Sequence, residues 1–360
     1  MKTIFIGRYN PTEFLTGPEK VAKRIFSEYT KKNKSVFIEY FFDGNKFGIY
    51  KKLFGRELIS DTENGTVLRL GLVSLLLFLL KHKPAFIHII TYERFAVTAF
   101  LYRIFFSFRI IYNVHGIVIH ENLNYRKTGK LYYLKDKLCE YIIFKFSDNL
   151  LFLSEESVRI AGMYYCFNKV KIKIIPNGTD EIFHIKSIAR KFHTRDMLKI
   201  VFAGDSGRKE KGFEFLINAL NECDFRFKLY ATGNTFPVIP EFYSEVPFMD
   251  TESYAEFLSD KDVAVSSGIY EPFSISALES MAAGLVTVVS KQTGMERYII
   301  SGLNGFVFDY GNTDELISIL NYLYSNRNNL EVFSRKSSEI YEMLNWEKVF
   351  ETYKPLYGNY

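Results

Sequence analysis

Two glutamates stand eight residues apart in the segment Glu271-Pro272-Phe273-Ser274-Ile275-Ser276-Ala277-Leu278-Glu279-Ser280-Met281-Ala282-Ala283-Gly284. Ionised carboxylates accept hydrogen bonds, so each can hold a pair of hydroxyls. In an ideal helix eight residues turn through about 800°, about 80° past two full turns, which lets both carboxylates look toward one cleft. The N–H groups at the helix start, lying between them, can meet a phosphate. Two carboxylates flanking an anion site suit a nucleotide-sugar. Taken alone, Glu279 equally suits a solvated helix face. A second cluster is Gly204-Asp205-Ser206-Gly207-Arg208-Lys209-Glu210-Lys211-Gly212. Arg208 can grip two oxygens at once and the lysines act as point charges, the makings of a diphosphate clamp. The same residues also suit a solvated basic loop. The spacing is not G-x-x-x-x-G-K-[ST], which disfavours a P-loop ATPase. A third loop runs from Gly7-Arg8 to Gly17-Pro18. Its glycines allow backbone N–H groups close to an anion, although an ordinary loop reads the same way.

These loops need strand ends and helix starts to hold them, and the chain supplies both. Lys2–Ile6 reads as a strand opening into the Gly7 loop, followed by a helical pattern from Glu19 to about Lys32 with Val21, Ile25 and Tyr29 in register. Further strands are expected at 35–40, 86–90, 110–114, 149–153 and 171–175, with helices at 72–80, 95–106 and 131–146. The pattern restarts at Leu198–Phe202. Strands follow at 227–231, 262–266 and 286–289, and helices at 212–220, 254–258, 274–283 and 314–324. Such alternation predicts parallel sheets covered by helices, in two consecutive Rossmann-like domains. A linker is expected around 178–197. In open sheets of this type ligands bind beyond the C-terminal strand ends, where all three loops fall.

Composition narrows the class. Of 360 residues, 48% are apolar and 24% charged, which supports a large core and argues against disorder. Cys139, Cys166 and Cys223 are odd in number and far apart. A disulfide framework and a cysteine-rich zinc site are excluded, and a reducing, cytoplasmic setting fits. The longest uncharged apolar run, Leu70–Leu80, falls short of the roughly 20 residues that cross a bilayer. Residues 1–180 carry 28 Lys and Arg against 16 Asp and Glu, whereas 181–360 carry 18 against 25. A basic half of +12 points to an anionic partner. The segment Tyr125–Lys137, which mixes cations with aromatics, suits an anionic membrane surface. His82, His88, His120, His184 and His193 lack ligand spacing and read as structural or solvated.

The Glu271-x7-Glu279 segment resembles the signature of glycosyltransferase family 4, retaining enzymes of GT-B fold. Supporting segments occur in the family's order: Val114-His115-Gly116, Leu153-Ser154-Glu155, Ile175-Pro176-Asn177-Gly178-Thr179-Asp180, Ser301-Gly302-Leu303-Asn304-Gly305-Phe306, and a closing stretch from Trp346 to Tyr357. The resemblance implies two Rossmann-like domains facing across a cleft. An acceptor-binding domain would cover 1–180 and a donor-binding domain 181–344, with a helix at about 345–360 returning to the first. It implies that Glu271 holds donor-sugar hydroxyls and Glu279 the ribose. Arg208 and Lys211 would neutralise the diphosphate beside Gly204, although this loop is one residue longer than the family's spacing. Backbone N–H groups of Phe273, Ser274 and Ile275 would meet the phosphates or the sugar. The Gly17 loop would approach the donor from the first domain, with Gly17-Pro18 where paired glycines are usual. His115 would contact the sugar near the reaction centre. No cofactor is implied. Asp260-Lys261-Asp262, the one D-x-D string, falls where the family has a structural aspartate rather than a metal ligand.

The resulting expectation is a metal-independent hexosyltransferase. It would move sugar from a nucleotide-diphosphate donor, with a UDP-sugar expected, to a glycan or lipid-diphosphate-linked acceptor in cell-surface polysaccharide synthesis. It would be cytoplasmic, peripheral on the inner membrane face, and without a nucleic-acid partner. The alternatives are another GT-B enzyme, such as a sugar-nucleotide epimerase, and a non-enzymatic basic binding module.

Overall fold

The computed structural model describes residues 2–10, 16–41, 47–126, 128–190, 196–233 and 241–358. The chain divides into two compact units, Met1–Pro176 with Val349–Tyr360, and Asn177–Lys348.

The first unit holds eight strands: β1 (Thr3–Ile6), β2 (Ser35–Tyr40), β3 (Arg56–Asp61), β4 (Gly65–Leu70), β5 (Phe86–Ile89), β6 (Arg109–Val114), β7 (Asn149–Phe152) and β8 (Ile172–Ile174). Their spatial order is β3-β4-β2-β1-β5-β6-β7-β8. All neighbours run parallel except β3, which pairs antiparallel with β4. This edge hairpin departs from the all-parallel expectation. Its outer strand Arg-Glu-Leu-Ile-Ser-Asp is largely exposed, so it lacks the apolar run that marks a central parallel strand. By contrast β1 and β5 are buried along their whole lengths. The helix Gly17–Thr30 buries Val21, Ala22, Ile25, Phe26 and Tyr29 along one stripe, and this periodicity is why it packs as a helix.

The second unit holds β9 (Leu198–Asp205), β10 (Phe227–Thr232), β11 (Tyr243–Val246), β12 (Val263–Ser266), β13 (Val286–Ser290) and β14 (Gly305–Phe308). They form one parallel sheet in the order β11-β10-β9-β12-β13-β14. Its core joins Ile200, Phe202, Leu229, Val263, Val265 and Val288 to Phe213, Leu216 and Leu220 of a covering helix. Within each sheet the chain reverses its direction of travel once, between β1 and β5 and between β9 and β12. Loops at such switch points diverge and leave a crevice.

Two further expectations change. The stretch read as a linker contains the helix Glu181–Ile188, with Phe183 fully buried. The long helix expected at 95–106 is a short 3-10 turn, Arg94–Ala96, followed by the helix Val97–Tyr102. In the second unit Gly178 packs so tightly that a Cβ would lie 2.7 Å from the Trp346 ring, and Thr179 bridges to Asn345. The C-terminal residues Tyr353 and Tyr357 are buried in the first unit. Among the described residues no helix is long and apolar enough to cross a membrane.

Candidate active site

In the second unit, β9 runs out at Asp205 beside the switch point. The loop that follows tightens into a 3-10 turn over Lys209–Lys211 and reaches Gly212. Gly212 has φ +71°, and a Cβ there would lie 1.8 Å from the Ser267 carbonyl oxygen. Only glycine permits that approach. It lays the cationic loop against the loop after β12: Ser267 Oγ donates to Gly212 O at 2.9 Å, and Ile269 N to Glu210 O at 2.9 Å. Lys211 is thereby brought onto Glu271, and the two form an ion pair with most of both side chains buried. Glu271 is fixed by its backbone, whose carbonyl accepts from Gly294 N at 2.8 Å. Gly204 lies beside this pair; a Cβ on it would be 3.6 Å from Lys211 Cβ.

Arg208 donates through Nε to the buried Glu210 carboxylate at 2.8 Å. Burial pushes the Glu210 carboxyl up, but its own backbone N–H together with Arg208 and Lys211 outweighs this and holds it below its ordinary value. Arg208 is therefore aimed by an internal carboxylate, while its side chain stays 44% exposed and open to a ligand. Sequence reasoning missed Glu210, because a glutamate between two lysines looks like surface.

Ser274 caps the helix Ile275–Ala282, its Oγ accepting from Ala277 N at 3.3 Å. The N–H groups of Ile275 and Ser276 thus sit at the helix start with no helical acceptor. Phe273 and Ser274 are buried, Ile275 partly exposed. The span from Glu271 to Glu279 is not continuous helix, since Pro272 and Phe273 precede the cap. Glu279 is the fifth helical residue, and the two-turn rotation expected for the pair does not apply. Glu279 is buried rather than solvated. The neighbouring Tyr254 phenol is pushed up by burial and by the Glu279 charge. Asp262 Oδ2 accepts from Lys199 N at 2.8 Å, and Asp260 pairs with Lys199 and Lys261, so both aspartates of the D-x-D string serve structural contacts. Among the described residues no group of three or more His, Cys, Asp or Glu is arranged to hold a metal ion.

In the first unit the loops after β1, β5 and β6 carry the polar groups. A Cβ on Gly7 would lie 2.7 Å from Thr91 Oγ1, which accepts from Arg8 N at 2.8 Å. Arg8 pairs with the buried Glu93. Burial raises the Glu93 carboxyl to about 7 against the pull of Arg8. This pair was also missed; its only sequence signal is that Arg8 and Glu93 each follow a strand closely. Gly17 opens the helix Gly17–Thr30, where Glu19 accepts from Thr16 N at 2.8 Å. The 11–15 part of that loop lies outside the described residues, as do Lys127 and His193.

His115 follows β6. Burial lowers its imidazole to about 4, so the ring is neutral near pH 7. One nitrogen donates to the Ile90 carbonyl, while Nε2 is enclosed with no partner. That tautomer leaves Nε2 a hydrogen-bond acceptor. The turn carrying His115 is anchored by the buried Glu140. Its carboxylate accepts from Val118 N at 2.7 Å, Ile119 N at 3.0 Å and Tyr165 Oη at 2.8 Å. Burial nevertheless raises this carboxyl to about 7. Nothing in the sequence distinguishes Glu140 from a solvated helix residue.

Residues 245–339 match the family described as Glycosyl transferases group 1. An uncharacterized glycosyltransferase of Methanocaldococcus jannaschii is 25% identical over 147 residues, 39% of this chain and 42% of that protein. The match thus spans less than half of that relative's length. The sucrose-phosphate synthase of Thermosynechococcus elongatus superposes with a TM-score of 0.77 at 15% identity, covering 99% of this chain and 98% of that one. Anabaena HepE in complex with UDP and glucose superposes with a TM-score of 0.75 at 14% identity, covering 100% of each chain. These likenesses establish the GT-B fold and bear out the resemblance to glycosyltransferase family 4.

Proposed function

We propose that this GT-B chain, family 4-like in its group 1 segment, is a retaining glycosyltransferase. It moves a hexose-type sugar from a nucleotide-diphosphate donor to a glycan or lipid-diphosphate-linked acceptor. The observation that carries the reading is the second-unit cluster: Lys211 paired with Glu271, Arg208 aimed by Glu210, and the capped helix start at Ser274. A cation, a guanidinium and helix N–H groups are what a departing diphosphate requires. Charge grows on it as the glycosidic bond breaks, so donors fixed there favour the transition state over the ground state. On this reading no metal is needed, because Arg208 and Lys211 supply the positive charge. Glu271 takes sugar hydroxyls as Lys211 turns to the phosphate, and Glu279 takes the ribose. In the first unit, neutral His115 keeps Nε2 as an acceptor of the kind a hydroxyl uses. The UDP in the HepE complex makes uridine the first base to try.

A panel of nucleotide-sugars and their free diphosphates, screened by thermal shift and then by donor hydrolysis, tests the reading. At least one diphosphate raises the unfolding midpoint. Arg208→Ala weakens binding of that diphosphate roughly tenfold, the loss expected for a half-exposed charged contact. If no diphosphate shifts the midpoint, the donor assignment fails.

A further inference from the structure

The helix Lys130–Phe146 buries Asp136, Glu140, Ile143 and Phe144 against its unit. At about 100° per residue, Leu131, Leu134, Leu138 and Tyr141 fall within an arc of about 80° on the opposite side. Their exposures, between 39% and 62%, place that arc in solvent. The helix is therefore apolar on two faces, one of them not packed against other elements among the described residues. Its charges are sorted as well. Both acids point inward: Asp136 meets Arg94, Tyr92 and Asn122, and Glu140 holds the turn after His115. Every exposed charge on the helix is a lysine, at 130, 135, 137 and 145. Lys130 and Lys137 flank the apolar arc on one side and Lys135 on the other, while Lys145 closes its C-terminal end, one turn beyond Tyr141, and donates to the Tyr141 Oη at 2.8 Å.

The patch continues past the helix end. Arg103 donates to the Phe146 carbonyl at 2.8 Å and pairs with Asp148 at 2.9 Å. That fixes the turn carrying Ile104 and Phe105, which are 77% and 74% exposed, beside Phe146. A row of leucines ending in bulky apolar tips and edged only by cations is the pattern of a helix lying in the surface of an anionic bilayer. A second copy of this chain is a poorer occupant, since a two-fold contact through the same face sets lysine against lysine.

We propose that the helix Lys130–Phe146 and the turn at 103–105 dock this unit onto an anionic lipid bilayer, the leucines entering the interface and the lysines meeting lipid phosphates. This rests on the lipid-linked-acceptor part of the functional reading and not on the donor site. The test is flotation of the full chain with phosphatidylcholine vesicles, pure or containing phosphatidylglycerol. Wild type floats with the anionic vesicles only, and high salt weakens the association. Leu134→Ser with Leu138→Ser lowers partitioning roughly tenfold or more, as expected from the apolar groups lost. Lys135→Ser with Lys137→Ser removes the preference for anionic lipid. Both variants keep the wild-type unfolding midpoint and uridine diphosphate affinity, which separates loss of docking from loss of the fold or of the donor site. Absence of flotation with anionic vesicles overturns the proposal. So does flotation undiminished in both variants, or a dimer in analytical ultracentrifugation that the leucine substitutions dissociate.

Discussion

Removing the carboxylate of Glu271 takes an ion-pair partner from the mostly buried Lys211 ammonium, so two effects must be told apart there. Glu271→Ala should cost at most about 3 kcal/mol of stability, because breaking one half of a buried pair removes compensation from the other charge, which Glu210 offsets in part. Glu271→Gln keeps the shape and an acceptor oxygen, and should cost less. Both should lower kcat/KM by about a hundredfold or more if Glu271 holds the sugar in the transition state. Urea unfolding alongside steady-state kinetics separates the two. Activity in Glu271→Gln within a few-fold of wild type would remove Glu271 from the reaction. At the same scale, the sequence does not announce what the cations of this loop pair with. Arg208 and Lys211 each have an acidic partner. Held in this way, they would need less ordering on binding a diphosphate, as the proposed function requires.

Each candidate side chain is presented by an element whose own contacts decide its position. The His115 turn hangs from Glu140, a residue on a different helix, through two backbone N–H groups. Glu140→Gln replaces one carboxylate oxygen with an amide that cannot accept, so one of these donors loses its acceptor, at about 1–3 kcal/mol. If Glu140 acts through His115, kcat should fall while the affinity for uridine diphosphate stays at the wild-type value. Stopped binding and turnover measurements check this, and an equal loss in both would mark Glu140 as structural only. Gly212 works in the same manner in the second unit. Its positive φ and its contact with Ser267 are backbone properties that set Lys211 against Glu271.

For the molecule as a whole, one buried histidine ties the C-terminal segment to the first sheet. His88 Nε2 donates to Asn113 Oδ1 at 2.8 Å, Nδ1 accepts from Tyr357 Oη at 2.7 Å, and Asn113 Nδ2 donates to Tyr353 Oη at 3.0 Å. Burial lowers the His88 imidazole to about 4. The unfolded ring titrates near 6.5, so between about 6.5 and 4 the unfolded chain binds the extra proton. Stability from His88 is complete above about 6.5 and is lost as pH falls toward about 4, by about 3 kcal/mol over the window. Glu93 and Glu140, both raised to about 7, act with the opposite sign, so the comparison must be with a variant. Urea unfolding at several pH values should show His88→Gln losing this slope relative to wild type. Identical slopes would mean that the imidazole is solvated.

The order of the elements was legible because helix and strand periodicities are local, and buried parallel strands such as Val263–Ser266 leave apolar runs between glycine-rich turns. The signature residues were legible for the same reason, since Glu271 to Glu279 and Arg208 to Lys211 lie within short segments. The β3–β4 hairpin and the helix at Glu181–Ile188 were not. Each depends on which side of a weak pattern finds a neighbour to pack against. The partners that give the site its geometry stand farther off in sequence: Glu271 for Lys211, Ser267 for Gly212, Glu93 for Arg8, Glu140 for the turn after His115. Sequence by itself determined the residue types capable of holding a sugar diphosphate and the strand ends that bear them. Tertiary structure alone decided which charges are paired, which are buried and which apolar face is left outward. Those outcomes follow from long-range packing, where desolvation and close backbone approach select one arrangement among many that local preferences allow.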